Sequence, residues 1–292
     1  MKKIERLIYR NSHGDEIEFS HESLFYTQEA SGLSVLRNTI YSVSAMGQEG
    51  ASYVGHHIES RNIDIDGFLR VYSRDEAIPL RRQLTSVLNP QLPATLTYRY
   101  GDFVRVIDCK VESTPKFSKS TSFAAFSCAF VCIDPFWREE NESKDMVASW
   151  VGGLEFEAEI PYENGLEIGY RNPARIVNVH NAGDVEAGAR IVFTACGTAS
   201  NPEILNVETG EFLRFNNITM LVGDMLAVCT AYGQKTCTLT QSGVTIDAFR
   251  FLDVDSTYFQ LSTGDNLLRY AAASGEDNIE VAVYHSNRYL GV

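Results

Sequence analysis

The stretch Phe123-Ala-Ala-Phe-Ser-Cys-Ala-Phe-Val-Cys-Ile-Asp-Pro-Phe-Trp137 decides how the chain is divided. From Phe123 to Ile133 both alternating faces carry apolar or small side chains, apart from one serine. A strand with one exposed face would show polar residues at every second position, so this pattern predicts a strand inside a sheet, covered on both faces. Pro135 ends the strand, because proline lacks the N–H that a sheet ladder needs.

A sharp change of composition follows this strand. Phe136 and Trp137 form a large apolar plug, and residues 138–145 are polar throughout. We therefore expect a first domain to end at about residue 140, and the length of 292 residues leaves room for a second core. The expected organisation is an N-terminal β domain at 1–140, a connecting region at 141–175 and a C-terminal β-sandwich domain at 176–292.

Composition and charge exclude several classes of protein. The 44% apolar and 22% charged content is that of a globular protein. We expect no transmembrane helix, because no window of about 18 apolar residues exists. The start of the chain lacks a signal-peptide core, which predicts synthesis in the cytoplasm.

The negative charge is concentrated in the second half of the chain. Residues 1–140 contain 16 Lys and Arg against 18 Asp and Glu, whereas residues 141–292 contain 9 against 20. Nucleic-acid binding depends on neutralising phosphates with basic side chains. The balance therefore argues against sequence-specific nucleic-acid binding, most strongly for the second half.

The first domain is predicted to be all-β with one helix. In residues 59–72 apolar and polar residues alternate, as in a strand with one wet face. Ser73-x-x-Glu76 is a capping box before an apolar stripe, so a helix is expected within 73–88. Pro79 requires that this helix begins near it or is kinked in its first turn. The remaining strands are expected at 4–9, 15–19, 24–28, 35–43, 94–100 and 103–112.

Residues 44–57 form a protruding arm in this interpretation. They carry Gly47, Gly50 and Gly55 and few side chains that could build a core, which predicts a mobile loop or the tip of a long hairpin. A segment that cannot bury itself against its own subunit can find stability against a neighbouring copy. A surface loop without a partner is the alternative.

The sequence of the second domain predicts regularly spaced short strands, separated by stretches of Gly, Asn, Asp and Ser that are typical of turns. Many strands at intervals of eight to twelve residues indicate a sandwich or a jelly roll. The strands are expected at 175–181, 188–194, 203–207, 211–216, 224–230, 236–241, 244–251, 258–261, 266–271 and 278–284.

No motif indicates a catalytic, cofactor-binding or metal site. The chain lacks a G-x-S-x-G elbow, an H-E-x-x-H motif, a phosphate loop and a dinucleotide fingerprint. Asp253-x-Asp255-x-Thr257 is similar to the start of a calcium loop, but Tyr258 occupies the glycine position and Gly264 the position of the bidentate glutamate. These residues are therefore interpreted as a turn.

The histidines are also poor metal ligands by their spacing. His56 and His57 are adjacent, so on an extended strand they point to opposite faces. The others are isolated in the sequence and are interpreted as ordinary surface or core residues: His13, His21, His180 and His285.

The six cysteines show no C-x-x-C pair. Cys128 and Cys132 lie about 13 Å apart on an extended strand and cannot form a disulfide without a bend. Cys229 and Cys237 could face each other across a hairpin, but free buried thiols are expected in a protein made in the cytoplasm. The other two cysteines are Cys109 and Cys196.

In their order along the chain, these motifs resemble the distal tail proteins of long non-contractile-tailed bacteriophages. The glycine-containing arm, Glu59-Ser-Arg-Asn-Ile-Asp-Ile-Asp-Gly-Phe-Leu69, the capped helix ending at Asn89-Pro90 and Asp134-Pro-Phe-Trp137 are similar to the first domain of that family. Further similar stretches are Asn181-Ala-Gly-Asp-Val-Glu-Ala187, Asn201-Pro-Glu-Ile204 and Phe259-Gln-Leu-Ser-Thr-Gly-Asp-Asn266. The resemblance covers nearly the whole chain.

The resemblance implies a mainly β fold, with an N-terminal β-sandwich or split-barrel-like domain and a C-terminal galectin-like jelly roll. It also implies a non-enzymatic role, without cofactors, as the hub of a phage or prophage tail tip. Six copies would form a ring through their arms, joining the tail tube protein to the central fibre or tail-associated lysin and to baseplate components. Receptor-binding proteins are further possible partners, and no insertion into a membrane is implied. The expected location is the virion tail tip.

Two other interpretations stay open at this stage. A carbohydrate-binding adhesion module would use exposed aromatics, for which Trp150, Tyr232, Tyr258 and Tyr289 are candidates, whereas Trp137 is expected to be buried. An enzyme of glycan or ester chemistry would need two close carboxylates or an activated nucleophile. As a separate hypothesis, the acidic balance would suit a DNA conduit that repels its cargo, and a basic ring lumen would contradict it.

Overall fold

The computed structural model describes residues 4–118, 124–148, 150–152, 169–171 and 176–292. The chain forms two compact units, Met1–Glu140 with Arg288–Val292, and Asn141–Asn287. The described residues are mainly β-strands with one α-helix, as predicted. The chain returns to the first unit at Arg288, a connection that the local sequence pattern does not indicate.

The elements of the first unit are short strands and a single helix among the residues described. In chain order they are β1 (Glu5–Asn11), β2 (Glu16–Ser20), β3 (Phe25–Ser31), β4 (Asn38–Val43), β5 (Ser52–Ile58), β6 (Arg61–Leu69), α1 (Arg74–Val87), β7 (Ala94–Tyr100), β8 (Phe103–Phe117), β9 (Ala125–Cys132) and β10 (Trp137–Arg138).

The second unit follows, and the last strand belongs again to the first unit. These strands are β11 (Ser143–Ala148), β12 (Trp150–Gly152), β13 (Gly169–Arg171), β14 (Ile176–Asn181), β15 (Ala189–Ala195), β16 (Ala199–Asn206), β17 (Phe212–Arg214), β18 (Thr219–Met220), β19 (Met225–Cys229), β20 (Thr236–Gln241), β21 (Val244–Asp247), β22 (Gly264–Ser274), β23 (Ile279–His285) and β24 (Arg288–Tyr289).

Seven strands of the first unit close into a barrel. Their order is β8-β7-β1-β2-β3-β6-β9, and β9 pairs back to β8. The neighbours are antiparallel except β2 and β3, which run parallel over two residue pairs. Closure removes open sheet edges, and β10 and β24 extend the sheet from β8. This barrel agrees with the split-barrel-like domain that was expected.

The strand predicted from residues 123–133 is β9, a wall strand of the barrel. It pairs with β6 along one edge and with β8 along the other. Its inward side chains are buried, whereas the alternating ones are half-buried. Its position inside the sheet was therefore predicted correctly, but the outer face of the barrel wall is only partly covered. Phe123 itself lies outside the described residues.

The helix α1 packs against β2 and β8. Its N-cap is Ser73, whose Oγ accepts a hydrogen bond from Glu76 N at 3.3 Å. The helix begins at Arg74, so the predicted alternative of a start at Pro79 is wrong. Pro79 lies inside the helix, and because it has no N–H it cannot donate to the carbonyl of Asp75.

The second unit is a sandwich of two sheets. One has the order β11-β23-β15-β19-β20-β21, and the other has β14-β22-β16-β17 with β18 beside β16. Their shared core contains Phe193 and Phe215, whose ring centroids lie 6.2 Å apart in an edge-to-face arrangement. A smaller two-stranded sheet joins β12 and β13.

Three expectations for the second half need correction. The strand expected at 244–251 ends at Asp247, and Phe249–Phe251 form a 3-10 helix. Residues 258–261 are not a strand; Phe259 and Leu261 are buried core residues, and Leu261 forms an isolated bridge with Ala187. Within the supposed connecting region 141–175, Ser143–Ala148 is an edge strand paired with β23. Residues 153–168 and 172–175 of that region lie outside the described residues.

Candidate interface

Residues 38–58, called the arm below, form a hairpin separate from the barrel. β4 and β5 pair from Asn38↔Ile58 to Val43↔Ser52, and within the described chain they pair only with each other. At the tip, Gln48 N donates to Ala45 O at 3.0 Å, and Gln48 Oε1 accepts from Ala45 N at 3.0 Å. Of the two structural alternatives for this segment, the hairpin tip is therefore the observed one.

The arm exposes large apolar side chains along its length. An isolated two-stranded hairpin is only marginally stable in water. The arm therefore gains stability from any surface that covers it. Its side chains that are more than half exposed are Ile40, Tyr41, Val43, Met46, Tyr53 and Val54, with Met46 at the tip fully exposed.

A buried arginine holds the root of the arm. Arg61 is 2% exposed, and its guanidinium donates four hydrogen bonds to main-chain carbonyls. Nε donates to Pro135 O at 2.7 Å, Nη1 to Gly32 O and Leu33 O at 2.7 Å each, and Nη2 to Leu290 O at 2.6 Å. These acceptors come from three separate stretches of chain, so a single side chain fixes where the arm leaves the barrel.

The positive charge of Arg61 is stabilised by the dipoles of main-chain carbonyl groups rather than by a carboxylate. Its guanidinium lies 6.0 Å from the ring centroid of Trp137, a favourable cation–π distance. Trp137 Nε1 in turn donates to Leu33 O at 2.9 Å. Burial lowers the pKa of Arg61, and the nearby Cys132 opposes this shift. The carbonyl oxygens stabilise the positive charge that burial disfavours.

The segment Arg288–Val292 completes this arrangement. β24 pairs with β10 at Trp137↔Tyr289 and Arg138↔Arg288. The Oγ of Ser34 donates to the main-chain oxygen of Val292 at 2.7 Å. The returning segment is thus bonded both to the barrel extension and to the stretch that leads into the arm.

Comparison with protein families identifies both units. The family model described as a phage tail protein RIFT-related domain matches residues 12–132, and the model described as the C-terminal domain of a siphovirus-type tail component matches residues 182–289. The chain belongs to the siphovirus distal tail protein family. It is thus a structural component of a phage tail, and its second unit is the galectin-like sandwich of that family.

Solved structures share the fold of this distal tail protein. The crystal structure of the phage SPP1 Dit protein matches with a TM-score of 0.64 at 14% identity, over 97% of this chain and 98% of that one. Chains of the phage p2 baseplate in its activated conformation, with Ca and with Sr, match with TM-scores of 0.54 and 0.56 at 12% identity, over the full length of both chains. No curated protein matches the chain in sequence.

Two histidines of the distal tail protein, His180 and His285, lie beside aspartates. His180 Nδ1 lies 2.8 Å from Asp265 Oδ1. A hydrogen bond from the Asn178 side chain, followed by this contact with His180, lowers the pKa of Asp265. His285 is buried, with Nδ1 3.7 Å from Asp145 Oδ2. Among the residues described, no group of three or more His, Cys, Asp or Glu side chains could hold a metal ion. No helix of this part of the chain is long and apolar enough to span a membrane.

The calcium-like stretch is a turn closed by its own side chain. Asp253 Oδ1 accepts from Asp255 N at 2.9 Å, and Asp253 Oδ2 accepts from Asn216 Nδ2 at 2.6 Å. These hydrogen bonds lower the pKa of Asp253. The carboxylate is therefore already used in closing the turn, as an ordinary Asx turn uses it.

The aromatic candidates for sugar stacking have cations on their rings. Lys235 Nζ lies 5.6 Å from the ring centroid of Tyr232 and 5.3 Å from that of Tyr258. The guanidinium of Arg105 lies 3.8 Å from the ring centroid of Tyr289. Each of these rings therefore has a cation close to it, although Tyr232 is still 67% exposed. Trp137 is fully buried, and the side chain of Trp150 lies outside the described residues.

None of the six cysteines forms a disulfide. In the hairpin of β19 and β20, Cys237 lies opposite Val228 and Cys229 lies opposite Thr236, so the two cysteines are not a facing pair. Burial raises the pKa of Cys109, and it raises the pKa values of Cys128, Cys132 and Cys237 to about 12.

These environments predict how the thiols react. In the native protein, a chromogenic disulfide reagent at pH 8 should titrate about one or two thiols rapidly, because only the thiolate reacts and a pKa of about 12 leaves roughly one thiolate in ten thousand. Cys196 is exposed and Cys229 is half-buried, so these are the two expected to react. Titration in denaturant should give all six. Rapid reaction of four or more native thiols would contradict the assigned burial.

Proposed function

We propose that this chain is the hub of a phage tail tip, where six copies form a ring that joins the tail tube to the tail-associated lysin or central fibre. The solved structures with the same fold are described as a paradigm of the hub adsorption apparatus and as a phage baseplate, which supports this role. The proposal is for a structural, non-enzymatic protein without cofactors.

The observation that carries the proposal is the arm. It exposes an apolar surface, forms no strand pairs with the rest of its described chain, and is fixed at its root by Arg61. A flexible loop would lose conformational entropy on docking, whereas a prearranged hairpin loses less. The arm is therefore suited to contact a second copy.

An arm contact between copies is heterologous, because the arm of one copy meets a different surface on the next. Heterologous contacts produce a closed ring when the rotation between copies closes, and an open filament when it does not. A ring provides a passage along its axis and identical attachment sites around it. Both properties suit a component placed between a tube and the fibre or baseplate proteins.

The second unit is proposed to present surfaces to other tail proteins, with receptor-binding proteins as candidates. Its sequence carries most of the net charge of −13, which favours specific protein contacts over retention of nucleic acid. No membrane insertion is proposed. The location that follows is the tail tip of the virion, after synthesis in the bacterial cytoplasm.

If the arm joins the copies, the protein should form an oligomer, and substitutions in the arm should disrupt it. Size-exclusion chromatography with light scattering should give about six times the 32.6 kDa of one chain at micromolar concentration. Ile40→Asp combined with Val54→Asp places charges on the exposed arm, and we expect at least a tenfold loss of the ring fraction without a change in thermal stability, because buried unpaired charges oppose contact.

Val254→Asp is the matched control, since Val254 is 97% exposed in a turn of the second unit. The ring should persist in this variant. A wild-type protein that stays monomeric up to high concentration, and forms no ring with its purified tail partners, would refute the proposal. Binding to glycans by such a monomer would instead favour the carbohydrate-binding alternative.

A further inference from the structure

The first unit contains a cavity that no part of its own described chain fills. It has a volume of about 440 Å³ and lies where β1 ends and β7 begins, between β8 and the residues after β9. Pro93, Ala94, Cys109 and Val131 contribute to its largely apolar lining. Ile133 also lines it and is 75% exposed. Such a concave apolar surface fits an apolar side chain from outside.

The charges that line this cavity are compensated within the chain, with one exception among the described residues. Asp108 lies 2.6 Å from an Arg138 nitrogen, and Asp134 lies 2.6 Å from an Arg288 nitrogen. Arg10 is likewise paired with Glu16. Lys110 is exposed and has no ion pair in the described part of the chain. The cavity therefore combines an apolar wall with one uncompensated positive charge.

The tip of the arm has the complementary chemistry. Met46 is fully exposed, and a methionine adapts to irregular apolar cavities. Glu49, three residues further, is the only Asp, Glu, Lys or Arg between Asn38 and Ile58. It is exposed and has no ion pair among the residues described. No arm residue lines the cavity of its own chain, so the chain's own arm does not occupy it.

The arm is long enough for such a contact. From Asn38 to Met46 an extended chain spans about 25 Å at roughly 3.3 Å per residue. A unit of about 140 residues has a radius of gyration of about 14 Å. The tip can therefore cross the boundary between two neighbouring copies.

We propose that the cavity receives the arm tip of a neighbouring copy, with Met46 inserted against Ala94 and Val131 and with Glu49 facing Lys110. This inference rests on the proposed function, in which arms join the copies, and it names the surface that accepts them. The apolar contact supplies the affinity, and the charge pair selects the register.

A charge-swap series tests the register. Lys110→Glu places like charges at the contact and should raise the concentration needed for half-assembly by about tenfold, because like charges across an interface are strongly disfavoured. Glu49→Lys should have a similar effect, and the two changes combined should restore assembly. Lys116→Glu, an exposed lysine on β8 outside this cavity, is the control and should assemble like the wild type.

Cross-linking tests the cavity itself. In the full-length protein, Met46→Cys with Ile133→Cys should give a ladder of disulfide-linked copies under mild oxidation, whereas Met46→Cys with Val254→Cys should give none beyond the single variants. The single variants also report any bond to the exposed Cys196.

The outcomes separate the two proposals. Suppose that the ring assembles, that Lys110→Glu does not change the concentration needed for half-assembly, and that no disulfide forms between positions 46 and 133. This result would overturn the proposal that the cavity accepts the arm tip, but not the proposed hub function. Mapping of the Met46→Cys bond to another surface would have the same meaning. A wild-type chain that forms neither ring nor cross-link, even with its tail partners, would overturn both.

Discussion

Replacing Arg61 with methionine should lower the free energy of unfolding of the first unit by about 3–5 kcal/mol, because one buried and three partly buried carbonyl oxygens lose a charged donor. Methionine has a similar length but no hydrogen-bond donor. The carbonyls of Gly32, Leu33, Pro135 and Leu290 would be left to find other partners. A scanning calorimetry transition about 10 °C lower is the expected result.

Arg82→Met is the matched control for this change. Arg82 is exposed on α1, so the same substitution there should change the free energy of unfolding by no more than about 0.5 kcal/mol. Arg61→Lys should lose at least half of the stabilisation, since an ammonium group cannot reach acceptors in the fork geometry of a guanidinium. Equal transition temperatures for Arg61→Met and Arg82→Met would show that the carbonyl contacts contribute little.

Gly67→Ala should also destabilise the barrel strongly, by about 3 kcal/mol, through overpacking between two sheet neighbours. Gly67 lies on β6 between Thr27 of β3 and Phe126 of β9. A Cβ at this position would overlap the carbonyl oxygen of Tyr26 and approach Phe126 Cζ to 2.8 Å. The backbone oxygen belongs to a paired strand, so it cannot move away without distorting the sheet.

Gly55→Ala provides the comparison for that experiment. Gly55 also lies on a strand, but no atom would come within 4 Å of its added Cβ. Its replacement should leave the unfolding transition unchanged or slightly raised, because alanine restricts the unfolded chain. Chemical denaturation of both variants distinguishes the effects. If Gly67→Ala unfolds at the same denaturant concentration as the wild type, the close packing described for β6 is wrong.

The regular elements could be predicted because their signals are local. In β6 the side chains alternate without exception between buried and exposed, as the pattern of residues 59–72 indicated. The capping of α1 by Ser73 was equally visible, since cap and partner lie three residues apart. Pro79 left two alternatives, a start near Pro79 or a kink in the first turn, and the helix begins before it, at Arg74.

The support of the arm could not be predicted, because its contacts are distant in sequence. Arg61 occupies an inward position of β6, yet its acceptor Leu290 is 229 positions away. From the sequence alone, an arginine at such a position is expected to face solvent, because its hydrogen-bond acceptors cannot be identified. The apolar residues of the arm are present in the sequence. The pattern of β4, however, predicts only an ordinary strand, and the glycines of the tip predict a loop or a hairpin tip, so neither indicates that the apolar side chains are exposed.

The late position of β24 in the chain has a consequence for biosynthesis. The 147 residues of Asn141–Asn287 are translated between the barrel and the strand that pairs with β10. At roughly 5–20 residues per second, the ribosome needs about 7–30 s to cover this interval. During that time the guanidinium of Arg61 can donate to Gly32, Leu33 and Pro135, but not to Leu290. The fourth carbonyl contact of Arg61 can therefore form only after synthesis has passed residue 290.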